Sequence, residues 1–455
     1  MTTVVPSAAS RQPVDFGASA PEHWTRVKLG LRYEVALGKM LDSKRNVGGR
    51  QVPYLRNQDV QWGRVNSSHL PTIRLEPGEL SRYTLACGDV LVCEGGDVGR
   101  AAIWRGPSGT TAYQKALHRL RPHQGDQDLP EFLVYLMQAS KESGAFDRDD
   151  NRATISHLTA ESFRQYRFAF PPLDEQRRIA AFLDHETARI DELVQEQERF
   201  VHAVEQKLYA VIRHVVTEGI DQTRPIEREA RARWLGRVPE HWEMAPLKYL
   251  VRFISGNTPT RDVAEYWNGS TPWVSAKDMK VLDLYGAEEH ISPMATTAGG
   301  ARILPVGAVV VVVRGMILAH TLPVAVSRVP LTINQDLKAL IPGVRIVPEF
   351  LRDYLLAVQN ESLGRVEEAG HGTKALRMDK WTSMEVPIPP LVEQVAISER
   401  IDRMRREAND LLGAARTLRR LLLERRSALI TAAVTGQIDV STWTPPDDWL
   451  SPESS

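Results

Sequence analysis

The chain has 455 residues, 42% of them hydrophobic and 25% charged, an ordinary globular balance on a length that can hold about three domains. The 57 basic residues equal the 57 acidic ones, so the net charge is zero and gives no support to a polyelectrolyte partner, although a local basic surface would suffice for one. The longest apolar run, Val309–Val313, is far too short to span a bilayer, and the opening MTTVVPSAASRQP lacks the apolar core of a signal peptide; a cytoplasmic protein is expected. Cys87 and Cys93 would share a strand face too far apart to bridge, which fits a reducing compartment, and no second Cys or His cluster supplies a metal site.

In chain order, residues 1–20 read as an extension and 21–170 as an α+β domain. Its loops lie in GKMLDSKRNVGGRQVPYLRNQDVQWGRV, its strands in YTLACGDVLVCEGGDVGRAAIW and a short helix at PEFLVYLMQAS. Gly95–Arg100 is glycine-rich but lacks the G-x-G-x-x-G spacing, and reads as a tight turn between strands. Residues 171–221 predict one helix of about 45 residues, roughly 65 Å long. Two prolines and an early glutamate suit its start, and Gly219 its end. After a linker at 222–238 the scheme repeats: an α+β domain over 239–388, a long helix over 389–440 ending near Gly436, and a tail at 441–455. In this second domain the loops read SGNTPTRDVAEYWNGSTPWVSAKDMKVL, the strands ILPVGAVVVVVRGMILAHTLPVAV and the short helix PEFLRDYLLAVQ.

Four phrases state the repeat at one displacement. PPLDEQ at Pro171 returns as PPLVEQ at Pro389, PEHW at Pro21 returns at Pro239, PEFL at Pro130 returns at Pro348, and VTEGID at Val216 returns as VTGQID at Val434, each 218 residues later. Accident in a chain with 28 prolines does not produce four matches at one offset, and a period this long means duplicated domains rather than a solenoid.

Each long helix carries apolar residues at alternating steps of four and three, the pattern of a heptad seam. The first seam runs through Leu183, Thr187, Ile190, Val194, Gln197, Val201, Val204, Leu208, Val211 and Val215. The second runs through Ile397, Ile401, Met404, Ala408, Leu411, Ala415, Leu418, Leu422, Arg425, Leu429 and Ala432. Seams of equal length in one chain predict that the two helices pair, antiparallel, with a globular domain at each end. Thr187, Gln197 and Arg425 are polar seam positions able to fix register.

The domain loops mix the side chains that nucleic acids require. Lys44, Arg45, Arg50, Arg56, Asn57 and Arg64 lie in the first domain, and Asn257, Arg261, Lys277 and Lys280 in the second. Arg and Lys neutralise phosphates or reach guanine, while Asn and Gln pair with adenine. Tyr54, Trp62, Tyr266, Trp267 and Trp273 are interleaved and able to stack. Catalytic signatures are missing: HETAR at His185 has Arg189 where a zinc-protease motif needs its second histidine, and there is no phosphate-binding loop and no nucleophile elbow. Nor do the Pro-Pro pairs have the neighbours of a DNA amino-methyltransferase tetrapeptide. The pattern is that of a non-catalytic reader, its rival being a coiled-coil structural adaptor for protein partners.

The chain closely resembles the specificity subunits of type I DNA restriction-modification systems over nearly its whole length. The carrying phrases are FPPLDEQRRIAAFLDHE and PIPPLVEQVAISERID, SGNTPTRDVAEYWNGSTPWVSAKDM, GDVLVCEGGDVGRAAIW, LHRLRP, ATISHLT, GHGTKALR and the closing VTGQIDV. The resemblance implies two α+β target recognition domains at opposite ends of two long antiparallel coiled-coil helices, each domain reading one half of a split, asymmetric DNA site. It implies as partners double-stranded DNA, two methyltransferase subunits that bind S-adenosylmethionine, and two ATP- and magnesium-dependent restriction subunits, with no membrane and no cofactor on this chain. Side-chain type and loop position extend the DNA-binding candidates to Arg100, Gln114, Asn151 and Arg152 in the first domain. In the second they extend to Thr258, Arg314, Gln335, His371, Thr373 and Lys374. Zero net charge predicts weak DNA binding by the chain without its methyltransferase partners.

Overall fold

The apolar runs VLVC and VVVV become central strands in which every residue is buried, as expected of β-branched segments covered on both faces. They belong to a computed structural model that describes residues 15–40, 49–147, 158–221, 228–229, 234–368 and 372–446. In the first domain the principal elements are β1 (Tyr33–Leu37), β2 (Arg50–Leu55), β3 (Thr72–Leu75), β4 (Val90–Cys93), β5 (Ala101–Ile103), β6 (Ala112–Tyr113), β7 (Leu117–Pro122) and α1 (Pro130–Glu142). Helix α2 (Leu173–Glu218) follows. The second domain has β8 (Val251–Ser255), β9 (Trp267–Val274), β10 (Glu289–Ile291), β11 (Val309–Val312), β12 (Val324–Ser327), β13 (Thr332–Ile333), β14 (Leu337–Pro342) and α3 (Pro348–Ala357), and leads into α4 (Leu391–Val434).

Both domains build the same pair of sheets. An antiparallel sheet of order β1-β7-β4-β5 corresponds to β8-β14-β11-β12, the latter extended at its edge by Asp283–Leu284. A smaller mixed sheet of order β6-β2-β3 corresponds to β13-β9-β10. Strand alternation divides the core: Val90 and Val92 of β4 face α1 through Phe132 and Leu133, while Leu91 and Cys93 face Leu55 and Tyr113 beneath the smaller sheet. GGDVGR forms the β4–β5 turn, with Gly96 and Gly99 at positive φ. Cys87 is exposed and Cys93 buried, both as free thiols.

Contacts divide the chain into two units, Met1–Gln197 with Thr417–Ser455, and Glu198–Arg416. Each unit thus holds one α+β domain, part of α2 and part of α4, with the two helix parts running antiparallel. In the first unit Arg426 Nε donates to Asp191 Oδ1 at 2.9 Å and Trp443 lies edge-on to Phe182, 5.6 Å between centroids. In the second, Ile212, Val215 and Val216 share a core with Ile397 and Ile401, and Gly219 lies against Glu393.

The repeated phrases of the sequence meet at one point in each unit. Trp24 Nε1 donates to Glu175 Oε1 at 3.0 Å and His23 Nε2 lies 2.9 Å from Glu175 Oε2; Trp242 and His241 hold Glu393 in the same way, at 3.2 and 2.9 Å. The adjacent glutamine is fully buried and triply bonded. Gln176 donates to the carbonyls of Gln127 and Pro171, at 2.9 and 3.0 Å, and accepts from the Leu129 amide at 2.8 Å. Gln394 donates to the carbonyls of Arg345 and Pro389, at 2.9 and 2.8 Å, and accepts from the Val347 amide at 2.8 Å. Leu129 and Val347 are the residues before the PEFL helices, so this amide ties the short helix to the long one. The end of the other long helix closes the cluster: Gly436 (φ +74°) sits against Pro21 and Trp24, and Gly219 (φ +85°) against Trp242.

The helices are 46 and 44 residues long, and burial follows the first seam closely. Leu183 and Ile190 are buried, Thr187 is buried and donates to the Leu183 carbonyl, and Val194, Gln197, Val201, Val204, Leu208 and Val211 are half-buried. The second seam departs from the heptad expectation. Ile401 is buried and Met404 half-buried, but Leu411 is 51% exposed, Leu418 is 44% exposed and Arg425 is exposed. Leu412, Ile430 and Ala433 are buried beside them, while the seam residues Ala408 and Ala415 are buried and Leu422 and Leu429 half-buried. The reason is that a straight helix turns every 3.6 residues, so a 3.5-residue pattern drifts by about 20° per heptad; past Ala408 burial moves toward the following position at Leu412, Arg426, Ile430 and Ala433. Arg426 rather than Arg425 therefore reaches across to Asp191.

Two stability predictions follow from these contacts. Gln176→Ala strands an amide and two carbonyls in a dry site and is expected to cost about 2–4 kcal/mol, read as a lowered midpoint in denaturant, with Gln394→Ala costing a similar amount. His118, on β7, is fully buried; burial pulls its imidazole down to about 4, against the hydrogen bond at 2.6 Å to the Leu158 carbonyl. Because the folded value lies below the unfolded one near 6.5, this stabilisation is complete above pH ~6.5 and is lost as pH falls toward 4, on the order of 3 kcal/mol in all. The equivalent residue of the second domain is Lys338, bonded to Ser255. The first domain should therefore unfold earlier than the second between pH 6 and 4, and His118→Phe should remove the difference.

Candidate nucleic-acid interface

At one edge of each domain the backbone is folded back on itself so tightly that only glycine fits. Gly38 donates to the Leu117 carbonyl and Lys39 to the Tyr113 carbonyl; Gly256 and Asn257 repeat the pair with Leu337 and Ile333. A Cβ on Gly38 would lie 2.3 Å from the Tyr113 oxygen, and one on Gly256 only 1.9 Å from the Asn334 oxygen. A neighbouring turn is capped identically in both domains: the Arg56 amide donates to Asp59 Oδ2, and the Ser275 amide to Asp278 Oδ2, each at 2.8 Å. These bonds superpose YLRNQDVQ, 54–61, on WVSAKDMK, 273–280, so that Lys277 and Lys280 stand where the first domain has Gln58 and Gln61. The frame is common and the side chains it carries differ.

The structure sorts the candidates into framing and displayed groups. In the first domain Asn57 Nδ2 donates to the carbonyls of Gly95 and Ala116, and Arg100 donates to the Asn57 carbonyl and Oδ1 at 3.1 and 3.0 Å. Arg56 forks onto Asp59 at 2.9 and 2.8 Å. Burial works against the Asp59 charge, but the Arg56 side chain and amide overcome it and hold the carboxyl below its usual range. Asn57 and Arg100 lock this turn against the β4–β5 turn, and Arg56 closes it on itself. Arg50 and Arg64 are exposed, and Gln114 is half-buried, its amide bonded to the Leu55 carbonyl. Tyr54 and Trp62 pack against core clusters. Lys44, Arg45, Asn151, Arg152 and His371 lie outside the described residues.

In the second domain the candidates gather more closely. Thr258 donates to Gln335, Asn257 Nδ2 to the Gly299 carbonyl at 2.9 Å, and the Arg314 amide to the Asp336 carbonyl at 3.2 Å. The Gly315 amide donates to the Lys374 carbonyl, which brings Thr373 and Lys374 to the same edge, Lys374 pairing with Glu368 at 3.2 Å. Lys277, Lys280, Arg314 and Gln335 are exposed. Arg261 lies 3.8 Å over the Trp267 ring and 5.0 Å from that of Trp273, and forks onto Glu289 at 2.5 and 2.8 Å. That hydrogen bonding holds the Glu289 carboxyl below its usual range. The result is a guanidinium held over an aromatic shelf and still more than half exposed.

Two residues at this edge were not among the sequence candidates, the exposed Lys115 and the half-buried Lys39, which donates to Glu79. Lys39 and Lys115 lie beside Gln114, where Asn257 and Gln335 stand in the second domain. The signal was present as AYQKAL, 112–117, against TINQDL, 332–337, but its offset is 220 rather than 218 because the loops before it differ in length. Among the described residues no group of three or more His, Cys, Asp or Glu is placed to hold a metal ion.

Comparison with known proteins bears on the same two segments. The chain is 31% identical over 162 residues to the Escherichia coli EcoR124I/EcoR124II type I restriction enzyme specificity subunit, a match spanning 35% of this chain and 40% of that one. It is 22% identical over 432 residues to a putative type I restriction enzyme specificity subunit, MjaX, of Methanocaldococcus jannaschii, spanning 93% and 95% of the two chains. The fold is shared with a chain from a type I restriction-modification assembly (TM-score 0.71, 19% identity, 92% of this chain and 99% of that one). It is also shared with the specificity subunit of Thermoanaerobacter tengcongensis (TM-score 0.55, 18% identity, 92% and 98%). The family model for the type I restriction modification DNA specificity domain matches residues 21–199 and again 239–416. With both repeats matched, the chain belongs to the type I restriction-modification DNA specificity family.

Proposed function

We propose that the chain is the DNA-recognition subunit of a type I restriction-modification complex, each α+β domain reading one half of a bipartite, asymmetric double-stranded site. The observation that carries this reading is the shared frame with exchanged side chains: Lys39, Gln114 and Lys115 in one domain take the places of Asn257, Asn334 and Gln335 in the other. Donor and acceptor patterns that differ on one backbone read different bases. Exposed Arg50 and Arg64, and in the second domain Lys277, Lys280 and Arg314, supply phosphate contacts that set position without sequence. Adenine methylation and cleavage belong to partners: two methyltransferase subunits, which bind S-adenosylmethionine, and two restriction subunits, which use ATP and magnesium. The complex works on cytoplasmic DNA, and no helix among the described residues is long and apolar enough to cross a membrane.

Modified-base sequencing of a methylation-free host making this chain with its cognate methyltransferase subunit should show methyladenine at one bipartite asymmetric motif. No new methylation despite a soluble complex of the two proteins would transfer the reading to a structural adaptor. Within that motif, Gln335→Ala should relax selectivity at one position of one half-site by roughly 5–150-fold, about 1–3 kcal/mol, and Lys115→Ala should act on the other half-site only. Lys280→Ala should weaken all sequences alike and reduce the salt dependence of binding.

A further inference from the structure

The joint between each short helix and its long helix is built from the same repeat positions with opposite chemistry. An outer ion pair is common to both: Arg105 to Glu131 at 2.9 Å on α1, and Arg328 to Glu349 at 2.5 Å on α3. One turn further in, the joints diverge. On α1 the pair Val134 and Tyr135 faces α2, where the Tyr135 hydroxyl donates to Asp184 Oδ1 at 2.7 Å and lies 3.4 Å from Thr187 Oγ1. On α3 the same two positions are Arg352 and Asp353, with side chains only 1% and 0% exposed. Arg352 donates to Asp353 at 2.8 Å, to Asp402 on α4 at 3.3 Å and to Asp283 at 3.3 Å. Asp353 in turn accepts from Arg405 of α4 at 2.7 Å. Asp184 and Asp402 are equivalent and unchanged, while Thr187 and Arg405 are equivalent and reversed in size and charge.

In the first joint, then, the domain sends the long side chain and the helix offers a short one. In the second the helix sends the long side chain and the domain offers a short acid. Crossing them fails in both directions. The first domain on α4 would set Tyr135 head-on against Arg405 and deprive that arginine of Asp353. The second domain on α2 would leave Asp353 facing Thr187 across a gap, without the Arg405 that holds it and with Asp184 as a second carboxylate. A buried charge that loses its partner is costly, and a filled volume cannot absorb a second large side chain. We propose that each long helix is keyed to its own recognition domain by these positions, so the two domains cannot be interchanged within this chain unless the key is rewritten with them. The order of the two domains along the chain is thereby a property of the joints and is independent of which bases either domain reads.

The test uses full-length variants and thermal unfolding, with no dependence on DNA. Thr187→Arg alone, Tyr135→Asp alone and Arg405→Thr alone should each lower the unfolding midpoint by roughly 5–15 °C. Converting the first joint to the second, V134R/Y135D/T187R, should recover at least half of the loss shown by its worst member, and R352V/D353Y/R405T should do the same in reverse. Losses that simply add, or triple variants that do not fold, would overturn the proposal. A second measurement transplants residues 21–170 in place of 239–388. The soluble, cooperatively folding yield should rise at least several-fold when the transplant also carries Arg405→Thr. Equal behaviour with and without that substitution would overturn the keying.

Discussion

The buried amide of the P-P-L-x-E-Q phrase is the contact on which the rest of each unit depends. A glutamine side chain has two donors and an acceptor facing opposite ways, so it can satisfy carbonyls on one side and an amide on the other. Gln176 and Gln394 do this where three chain directions converge: the diproline entry to the long helix, the segment entering the short helix, and the loop before it. The neighbouring glutamate collects the tryptophan and histidine of P-E-H-W, so one dipeptide fixes the first strand region, the short helix and the long helix together. An apolar residue would fill the space and leave the backbone groups unpaired, which explains why these phrases persist in both repeats while nearly everything around them has diverged.

From that anchor outward, constraint weakens in an ordered way. The central strands need only apolar, branched residues, and VLVC and VVVV satisfy that differently. The glycines at 38 and 256 are required by backbone approach, whereas the residues that follow them are not. A frame held by main-chain bonds carries lysine in one copy, bonded to Glu79, and asparagine in the other, bonded to the Gly299 carbonyl. Under the proposed function this separation lets a recognition surface change while the fold that carries it stays.

The repeat, the strand and helix order and the helix lengths were legible in the sequence because they rest on local signals: prolines at helix starts, glycines at helix ends and apolar runs. The second seam was less so. Leu411 and Leu418 satisfy a heptad, but Leu412 and Ile430 satisfy a straight helix, and apolar residues at both sets of positions leave the choice to helix twist. The interface was the least legible. Asn57 and Arg100 have the side chains of base readers yet spend them on each other and on carbonyls, which depends on a turn brought in from 36 or more residues away. Lys115 was hidden by a two-residue change in loop length, and Arg352–Asp353 reads as an ordinary surface pair on a helix until the partner helix supplies Arg405.

Zero net charge becomes intelligible at the level of these pairs. Arginines near the candidate interface are matched with acids of their own: Arg56 with the buried Asp59, and Arg261 with Glu289. The exposed pair of Arg261 and Glu289 contributes little to stability, about 0–1 kcal/mol, so it is inexpensive to open. It nonetheless holds the guanidinium in place; Arg261 lies 3.8 Å over the Trp267 ring with its fork bonded to Glu289 before any ligand arrives. A phosphate must displace Glu289 to claim it and gains only the difference between two similar anions. A base edge of correct geometry can approach the open side and keep the carboxylate as a partner. Under the proposed function, pairing its own cations in this way would lower the attraction for DNA of any sequence more than the attraction for the right one, and net affinity would come from the subunits that join the complex.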